Sequence, residues 1–579
     1  MKIFVNHIGF EQSDKKMAVF EADGKMKFIN SYLLRKDGAI FRVEVGEKGK
    51  IADWSDSYYY LLNFSDVVIP GQYQVVVETE QEKVCSDYFE ITDYYIHLRM
   101  VNAVRAYFKG ERSSGEWLKA DKQVPFDGER KGRRDLHGGW YDATGDLGIH
   151  LTQLSHTGIY NPMQSLLPAF VCFSIAERIQ QKKLKDGRIL KKELQDEGYW
   201  GADLAMRLYC ENGSFLRSVD RGEAFSEKQN RKIDYEYFHY SGHEEDKSYL
   251  KENIQDKNYE TGMRSGCGLA ITVLAQAARL GAASGEYTET EYLQIAERAF
   301  HYIVENNVLH INDGKWNFLD YYWGLIAAIE LYETTQKEVY LNFCRNFELK
   351  MESYVVEMKE GCWFLADEEH LYFHPSDEGV PLLALLKYSQ IEPDKETEKH
   401  VLSVVKSAMI HLLSISKSAF GYASFTWKKD AKEKKEENRF FFPHDTKAAP
   451  WWQGENARIC SLAAIAFYYA NISDEKDMVD ECLIFGQRQL DWIMGCNPFD
   501  SCMIEGYGKN NIRYFFNDQY DFMNSPGGIC NGITSRTIDD CGIEFVTETS
   551  PECRDNWRWA EQWLPHAAWY MFATGLKLL

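Results

Sequence analysis

Apolar residues along the chain change their period near residue 92. Before it, short β-branched or aromatic runs, several with alternating polarity, are separated by turn residues: KIFVNHIGF, KMAVFEA, FINSYLLR, AIFRVEV, YYYLLNFSDV, GQYQVVVE and CSDYFEIT. Seven such runs in about ninety residues predict an immunoglobulin-like β-sandwich over residues 1–92. After Thr92 the pattern turns helical, opening with YYIHLRMVNAVRAYF, MQSLLPAFVCFSIAERI, WGADLAMRLYC, MRSGCGLAITVLAQAARL and YLQIAERAFHYIVEN. It continues through FLDYYWGLIAAIELYETT, EVYLNFCRNFELKMES, VPLLALLKYS, EKHVLSVVKSAMIHLLSIS, ENARICSLAAIAFYYANI, MVDECLIFGQRQLDWIMG and WRWAEQWLPHAAWYMFATGL. About twelve helices with long loops between alternate pairs predict an all-α double ring, an (α/α)6 barrel, over 93–579. The loops would gather at one end and form a cleft.

Residues 497–555 form the longest stretch without a helical period, carrying NPFDS, GYGKNN and SPGGICNG. Its Phe, Tyr, Ile and Cys content argues for an ordered, functional loop rather than disorder.

Length and charge narrow the picture. A chain of 579 residues exceeds what one hydrophobic core sustains, in keeping with a small and a large domain. The formal net charge of −22 excludes an extended nucleic-acid or anionic-membrane surface, because both need clustered Lys and Arg. No run reaches the roughly 18 apolar residues of a membrane span. The opening MKIFVNHIGFEQSDKK is interrupted by Asn6, His7, Gly9 and Glu11 before it could act as an export signal. Thirteen cysteines without C-x-x-C pairs indicate neither a disulfide framework nor a zinc ribbon. The expectation is a cytoplasmic protein with buried thiols and no cofactor.

Candidate chemistry centres on GGWYDATGDLGIH, residues 138–150, where Asp142 and Asp146 stand four apart beside Trp140 and Tyr141. A calcium loop would need oxygen ligands at alternate positions, and Ala143 and Gly145 supply none. Two readings stay open from these residues alone: turn aspartates bonded to nearby backbone N–H groups, or carboxylates that activate and hold a water. The second needs a distant acid to protonate a leaving group. Glu561 in NWRWAEQWLPHAAW is a candidate, since its apolar neighbours Trp557, Trp559 and Trp563 would favour a protonated carboxyl; the competing reading is a surface glutamate early in an amphipathic helix. His150 and His156 lack a third ligand at metal-site spacing, so no metal site is expected.

These residues sit in a wider pattern. IFVNHIGF, GGWYDATGD, WGADLAMRLYCENGSF, MRSGCGLAITVLAQAARL, NFLDYYWGLIAAIELYETT, FHPSDEGVPLLALL, FFPHDTKAAPWWQGENARICSLAA and MGCNPFD occur in one order over nearly the whole chain. In this the sequence resembles the glycoside hydrolase family 9 enzymes that carry an N-terminal immunoglobulin-like domain. The resemblance implies that Asp146 is the general base, that Asp142 helps hold the nucleophilic water, that Glu561 is the general acid, and that the anomeric centre is inverted. Trp140, Tyr322, Trp323, His374, Trp451, Trp452 and Glu455 are candidates to line a substrate cleft; core packing is the competing reading for Tyr322, Trp323, Trp451 and Trp452, and a turn or capping role for His374.

Two departures set this sequence apart from the secreted cellulases of that family. Its aspartates are spaced D-A-T-G-D, one residue longer than D-A-G-D, and residues 497–555 contain no equivalent of the His-His-Arg segment that grips glucan. In both it resembles the intracellular, exo-acting branch that includes exo-β-D-glucosaminidases. The expected substrate is therefore a short β-linked oligosaccharide, chitosan-type first, with a cello-oligosaccharide exo-β-glucosidase, an endo-β-1,4-glucanase and a non-catalytic sugar-binding protein as alternatives. A 2-ammonium sugar would call for a nearby carboxylate, for which Asp500, Glu505 and Glu455 are candidates.

Overall fold

The computed structural model describes residues 1–152, 161–184, 187–220, 231–234, 259–281, 284–311, 314–367, 370–427, 437–443, 452–516, 520–522, 524–547 and 555–578. The N-terminal runs form two sheets. One is four-stranded, in the order β1 (Lys2–Phe4), β3 (Met17–Ala22), β7 (Tyr58–Asn63) and β6 (Glu44–Gly49). The other places β2 (Phe10–Glu11), β10 (Phe89–Thr92), β8 (Gly71–Thr79), β4 (Phe28–Arg35) and β5 (Ile40–Arg42) side by side, with β9 (Lys83–Cys85) also on β8. Alternate side chains of the two sheets meet in a core that includes Phe10, Phe20, Leu33, Leu62, Tyr73 and Val75.

Twelve long helices follow among the described residues: α1 (Ile96–Glu111), α2 (Leu167–Lys182), α3 (Gly187–Leu208), α4 (Gly268–Arg279), α5 (Glu289–Asn306) and α6 (Phe318–Thr335). The rest are α7 (Glu338–Glu352), α8 (Val380–Ile391), α9 (Lys395–Ile415), α10 (Asn456–Ile472), α11 (Lys476–Ile493) and α12 (Leu564–Lys577). The even-numbered helices close an inner ring, each packed on the next and α12 on α2, and an odd-numbered helix backs each of them. Sequence separates the rings. Helix α10 is buried at every position from Asn456 to Tyr469, as a helix enclosed on all sides must be. Helix α5 buries only Tyr292, Ala296, Ala299, Phe300 and Ile303, a single stripe at helical spacing. The architecture is thus a β-sandwich followed by an (α/α)6 barrel.

The sandwich is fastened to the barrel by polar contacts around a buried aromatic seam. Asn6 donates to Asp491 Oδ1 (2.9 Å), the His7 N–H to the Met494 carbonyl (2.8 Å), and Asp14 pairs with His97 (2.9 Å) and Lys577 (2.6 Å). Trp54 packs on Phe420, Phe440 and Trp492.

The last helix differs from the sequence pattern. WRWAEQWLPHAAWYMFATGL reads as one helix, but the chain forms a single turn over Trp557–Ala560, runs extended through Glu561 (φ −61°, ψ 133°), and restarts at Leu564. Pro565 sits in the first turn of α12, where its missing N–H costs no bond and its ring obstructs a helix continuing from upstream.

Candidate active site

The loop carrying Asp142 and Asp146 is closed by its own backbone. The Asp142 N–H donates to the Gly148 carbonyl (3.2 Å), and the Asp146 N–H to the Ala143 carbonyl (3.0 Å). Gly145 provides the reversal at φ +82°, a region closed to most side chains. Gly148 is fixed by contact instead: a β-carbon there would lie 2.1 Å from His150 Nε2. The Gly148 N–H donates to Asp146 Oδ1 at 2.9 Å, which aims that carboxylate. Just beyond it, buried Arg231 donates to the Leu147 carbonyl (2.5 Å) and grips Asp121 with Nε and Nη2 (2.5 and 3.0 Å).

Glu561 reaches this loop through a strand-like crossing. Ala143 and Trp563 form an antiparallel bridge, the Thr144 N–H donates to the Gln562 carbonyl (2.9 Å), and the Leu564 N–H donates to the Asp142 carbonyl (3.0 Å). On its other side the same segment pairs with residues 530–532. Cys530 bridges Gln562, the Asn531 N–H donates to the Glu561 carbonyl (2.8 Å), and the Gly532 N–H donates to the Trp559 carbonyl (2.9 Å). The extended break before α12 is therefore the middle member of a three-layered backbone stack. A continuous helix would have spent these groups internally, so the break is what brings Glu561 and the two aspartates onto adjoining segments.

Side chains tighten the arrangement. The Thr144 hydroxyl donates to Gln562 Oε1 (3.1 Å), which also accepts the Ser525 N–H (2.8 Å), while Gln562 Nε2 donates to the Ser525 carbonyl (2.9 Å). Gln164 Nε2 reaches Asp142 Oδ2 at 3.3 Å. Asp142 is buried, whereas Asp146 and Glu561 are half-buried.

Two tyrosines that sequence reasoning passed over lie among these charges. The Tyr514 hydroxyl donates to Glu561 Oε1 (3.4 Å); burial, then the charges of Glu561, Asp555 and Asp146, push its acidity far out of range, so it stays a donor. Tyr107, on α1, is pushed well up by burial and by Glu111, Asp142 and Glu561. Neither carried a signal in the sequence, because tyrosines in apolar runs are ordinary core residues. Asp142, Asp146 and His150 also bring one potential ligand atom each within 4.8 Å of the others, a set that suits a held water or a cation.

The residues expected to line the cleft sit deeper. Trp140 is fully buried on α3 and gives its N–H to Glu197 Oε1 (3.0 Å). Tyr322 and Trp323 are fully buried within inner helix α6. His374 accepts the Ser376 and Asp377 N–H groups at Nδ1 (3.1 and 2.7 Å), and burial pushes its pKa down to about 3, so it caps a turn as a neutral ring. Trp452 is 4% exposed and stacks under the Arg558 guanidinium, 4.1 Å from its ring centre. Glu455 is enclosed with Arg458 and accepts the Phe442 N–H (2.7 Å). These six side chains are buried among protein partners. Trp451 and His156 lie outside the described residues.

Comparison with known proteins agrees with this architecture. Residues 100–526 match the model of glycosyl hydrolase family 9, and residues 1–82 match the cellulase N-terminal ig-like domain. The first match ends before Glu561, whose place beside the aspartates rests on the backbone stack. A family 9 glycoside hydrolase from Bacteroides ovatus is 16% identical, with TM-score 0.63 over 100% of this chain and 98% of the other. A metagenome-derived family 9 endoglucanase is 15% identical, with TM-score 0.64 over 99% and 98%. A thermostable endoglucanase variant from Alicyclobacillus acidocaldarius is 13% identical, with TM-score 0.63 over 100% and 99%. At these identities the likeness is one of fold. No curated protein sequence matches the chain.

Proposed function

The chain belongs to glycosyl hydrolase family 9, and from that premise we propose that it is an inverting, exo-acting glycosidase removing single sugars from short β-linked oligosaccharides, glucosamine-terminated ones first. The observation that carries the reading is the antiparallel crossing of Ala143 with Trp563, which sets Glu561 against the loop of Asp142 and Asp146. In this reading Asp146 takes a proton from a water that Asp142 orients. The water oxygen bonds to the anomeric carbon as the glycosidic C–O bond breaks, and Glu561 delivers its proton to the departing oxygen. The product leaves with inverted configuration, Asp146 protonated and Glu561 ionised, and exchange with solvent resets both. Tyr514 supports the step by donating to the Glu561 carboxyl, a bond that strengthens as charge develops there.

Preference for a 2-ammonium sugar rests on the carboxylates around the site. Of the three named from sequence, Asp500 is engaged at the domain boundary with Lys2, His7 and Lys509, and Glu455 is enclosed with Arg458. Glu505 has no ion pair among the described residues and packs in one closed cluster with Gln562, the neighbour of Glu561. It is the carboxylate we assign to the ammonium. An endo-β-1,4-glucanase is the second reading, favoured by the endoglucanases among the structural neighbours. A cytoplasmic setting is part of the proposal, supported by the twelve described cysteines being free thiols.

A panel of glucosamine, glucose and N-acetylglucosamine disaccharides and aryl β-glycosides, with the first anomer read by NMR, tests the proposal. Release of single α-configured glucosamine units supports it. Retention of configuration would overturn the mechanism, and a rapid viscosity drop in soluble cellulose would favour the endoglucanase.

A further inference from the structure

Away from the catalytic loop, the sandwich and the barrel border an open cavity of about 490 Å³, within the usual range for small-molecule sites. Met17 and Leu61 form one wall, and Leu413, Ile484 and Phe485 form the other. Three cations face it: Arg488 from α11, Lys417 beyond the end of α9, and Lys48 from β6.

Arg488 is 4% exposed and has no carboxylate partner among the described residues. Its Nε donates to the Phe420 carbonyl (3.0 Å) and Nη2 to the Ala419 carbonyl, while Nη1 meets only the Met17 sulfur at 3.7 Å, a weak acceptor. The carboxylate whose charge reaches it, Asp491 on the same helix, is held by Asn6 and Gln487 instead, so the buried guanidinium lacks a directly paired acid, a costly arrangement. The Ser418 hydroxyl, which lines the same space, is buried and has no hydrogen-bond partner among the described residues. Lys48 stands at the exposed rim, where partial desolvation of its amine, followed by the charges of Arg488 and Lys417, holds it below its ordinary pKa.

Glu360 and Glu481 also border the cavity, so three positive and two negative groups leave one net positive charge. We infer that this interdomain cavity is a binding site for a small organic carboxylate, its anionic head held among Arg488, Lys48 and Lys417 and its apolar body between Met17, Leu61 and Phe485. One net charge suits a monoanion better than a phosphate dianion, and the apolar walls suit a ligand with a hydrocarbon part. Bound there, the ligand fastens the sandwich to α9 and α11.

The test is thermal unfolding of the full chain with benzoate or hexanoate, against benzamide and inorganic phosphate at matched ionic strength. The two carboxylates should raise the midpoint by about 2 °C or more at saturation and slow hydrogen exchange over 413–421 and 484–488. Lys48→Gln with Lys417→Gln, both at the exposed rim, should leave the unliganded midpoint nearly unchanged and abolish most of the rise. An equal rise with benzamide, an equal rise with phosphate, no rise with either carboxylate, or a rise untouched by the double variant would each overturn the assignment.

Discussion

Thr144 and Gln562, more than four hundred positions apart in sequence, are joined twice: the Thr144 N–H donates to the Gln562 carbonyl at 2.9 Å, and its hydroxyl donates to Gln562 Oε1 at 3.1 Å. The residue that lengthens the aspartate spacing is thus the one that ties the aspartate loop to the segment carrying Glu561. Thr144→Val keeps the backbone bond and loses the hydroxyl. We expect kcat to fall about tenfold with little change in KM, because small misplacements of reacting groups are costly. Thr144→Ser should recover most of the loss. A variant that instead raised KM at unchanged kcat would make Thr144 a substrate contact.

The proposed division of labour between the carboxylates separates by leaving group. Glu561→Gln should lower turnover of oligosaccharides by about 10²–10⁴-fold, yet spare aryl glycosides whose leaving groups need no proton. Asp146→Asn should depress both substrates alike, since neither reacts without an activated water. If Glu561→Gln proved equally damaging on both, its role as acid would have to be given up.

Much of this was legible in the sequence, and what was not has identifiable causes. The twelve helices stood out because outer helices carry a single apolar stripe, as α5 does, while inner ones such as α10 are largely apolar around the whole helix. The unusual neighbours of the aspartates and of Glu561 drew attention to them, but their proposed roles came from the resemblance and not from the residues alone. The extended break at Glu561 was not, because Trp557, Trp559 and Trp563 fit a helical period and only Pro565 argued against it. The roles of Trp452 and Glu455 were obscure for another reason. An aromatic or acidic residue before a helix reads the same whether it meets a sugar or, as here, Arg558 and Arg458.

Arg231 and Asp121 offer a way to separate positioning from stability. Their side chains are 1% and 0% exposed, and Arg231 also holds the Leu147 carbonyl next to Asp146. Arg231→Met alone should cost about 3–5 kcal/mol, because it strands a buried carboxylate. Adding Asp121→Leu should restore much of the stability measured by denaturant unfolding. Activity should stay low in the double variant, since Leu147 still lacks its donor. Recovery of both together would show that the pair only supports the fold.

Gly148 makes the narrowest prediction about the loop. A β-carbon at this position would sit 2.1 Å from Nε2 of the fully buried His150. Gly148→Ala should therefore displace the N–H that aims Asp146 Oδ1 and lower kcat by about tenfold or more. His150→Ala in the same chain would open that space. Partial rescue of kcat in the double variant is the expected signature, and a Gly148→Ala enzyme with unaltered turnover would show that the loop does not hold the base.

Glu348 gives a pH dependence with a definite sign. It is 5% exposed on α7, and burial, followed by the charges of Glu352 and Glu392, raises its pKa to about 7 against the partial relief given by His400. An ordinary glutamate in the unfolded chain titrates near pH 4.3, so between about pH 4 and 7 the folded state binds the extra proton. Stability from this group is therefore full below about pH 4 and declines as pH rises to 7. Glu348→Gln removes the titration while keeping the shape. Its unfolding midpoint should match the parent near pH 4 and exceed it at pH 8, by an amount on the order of 1–2 kcal/mol. The check is a pair of unfolding curves at each pH. A constant offset between parent and variant across that range would mean that folding does not shift the titration of Glu348.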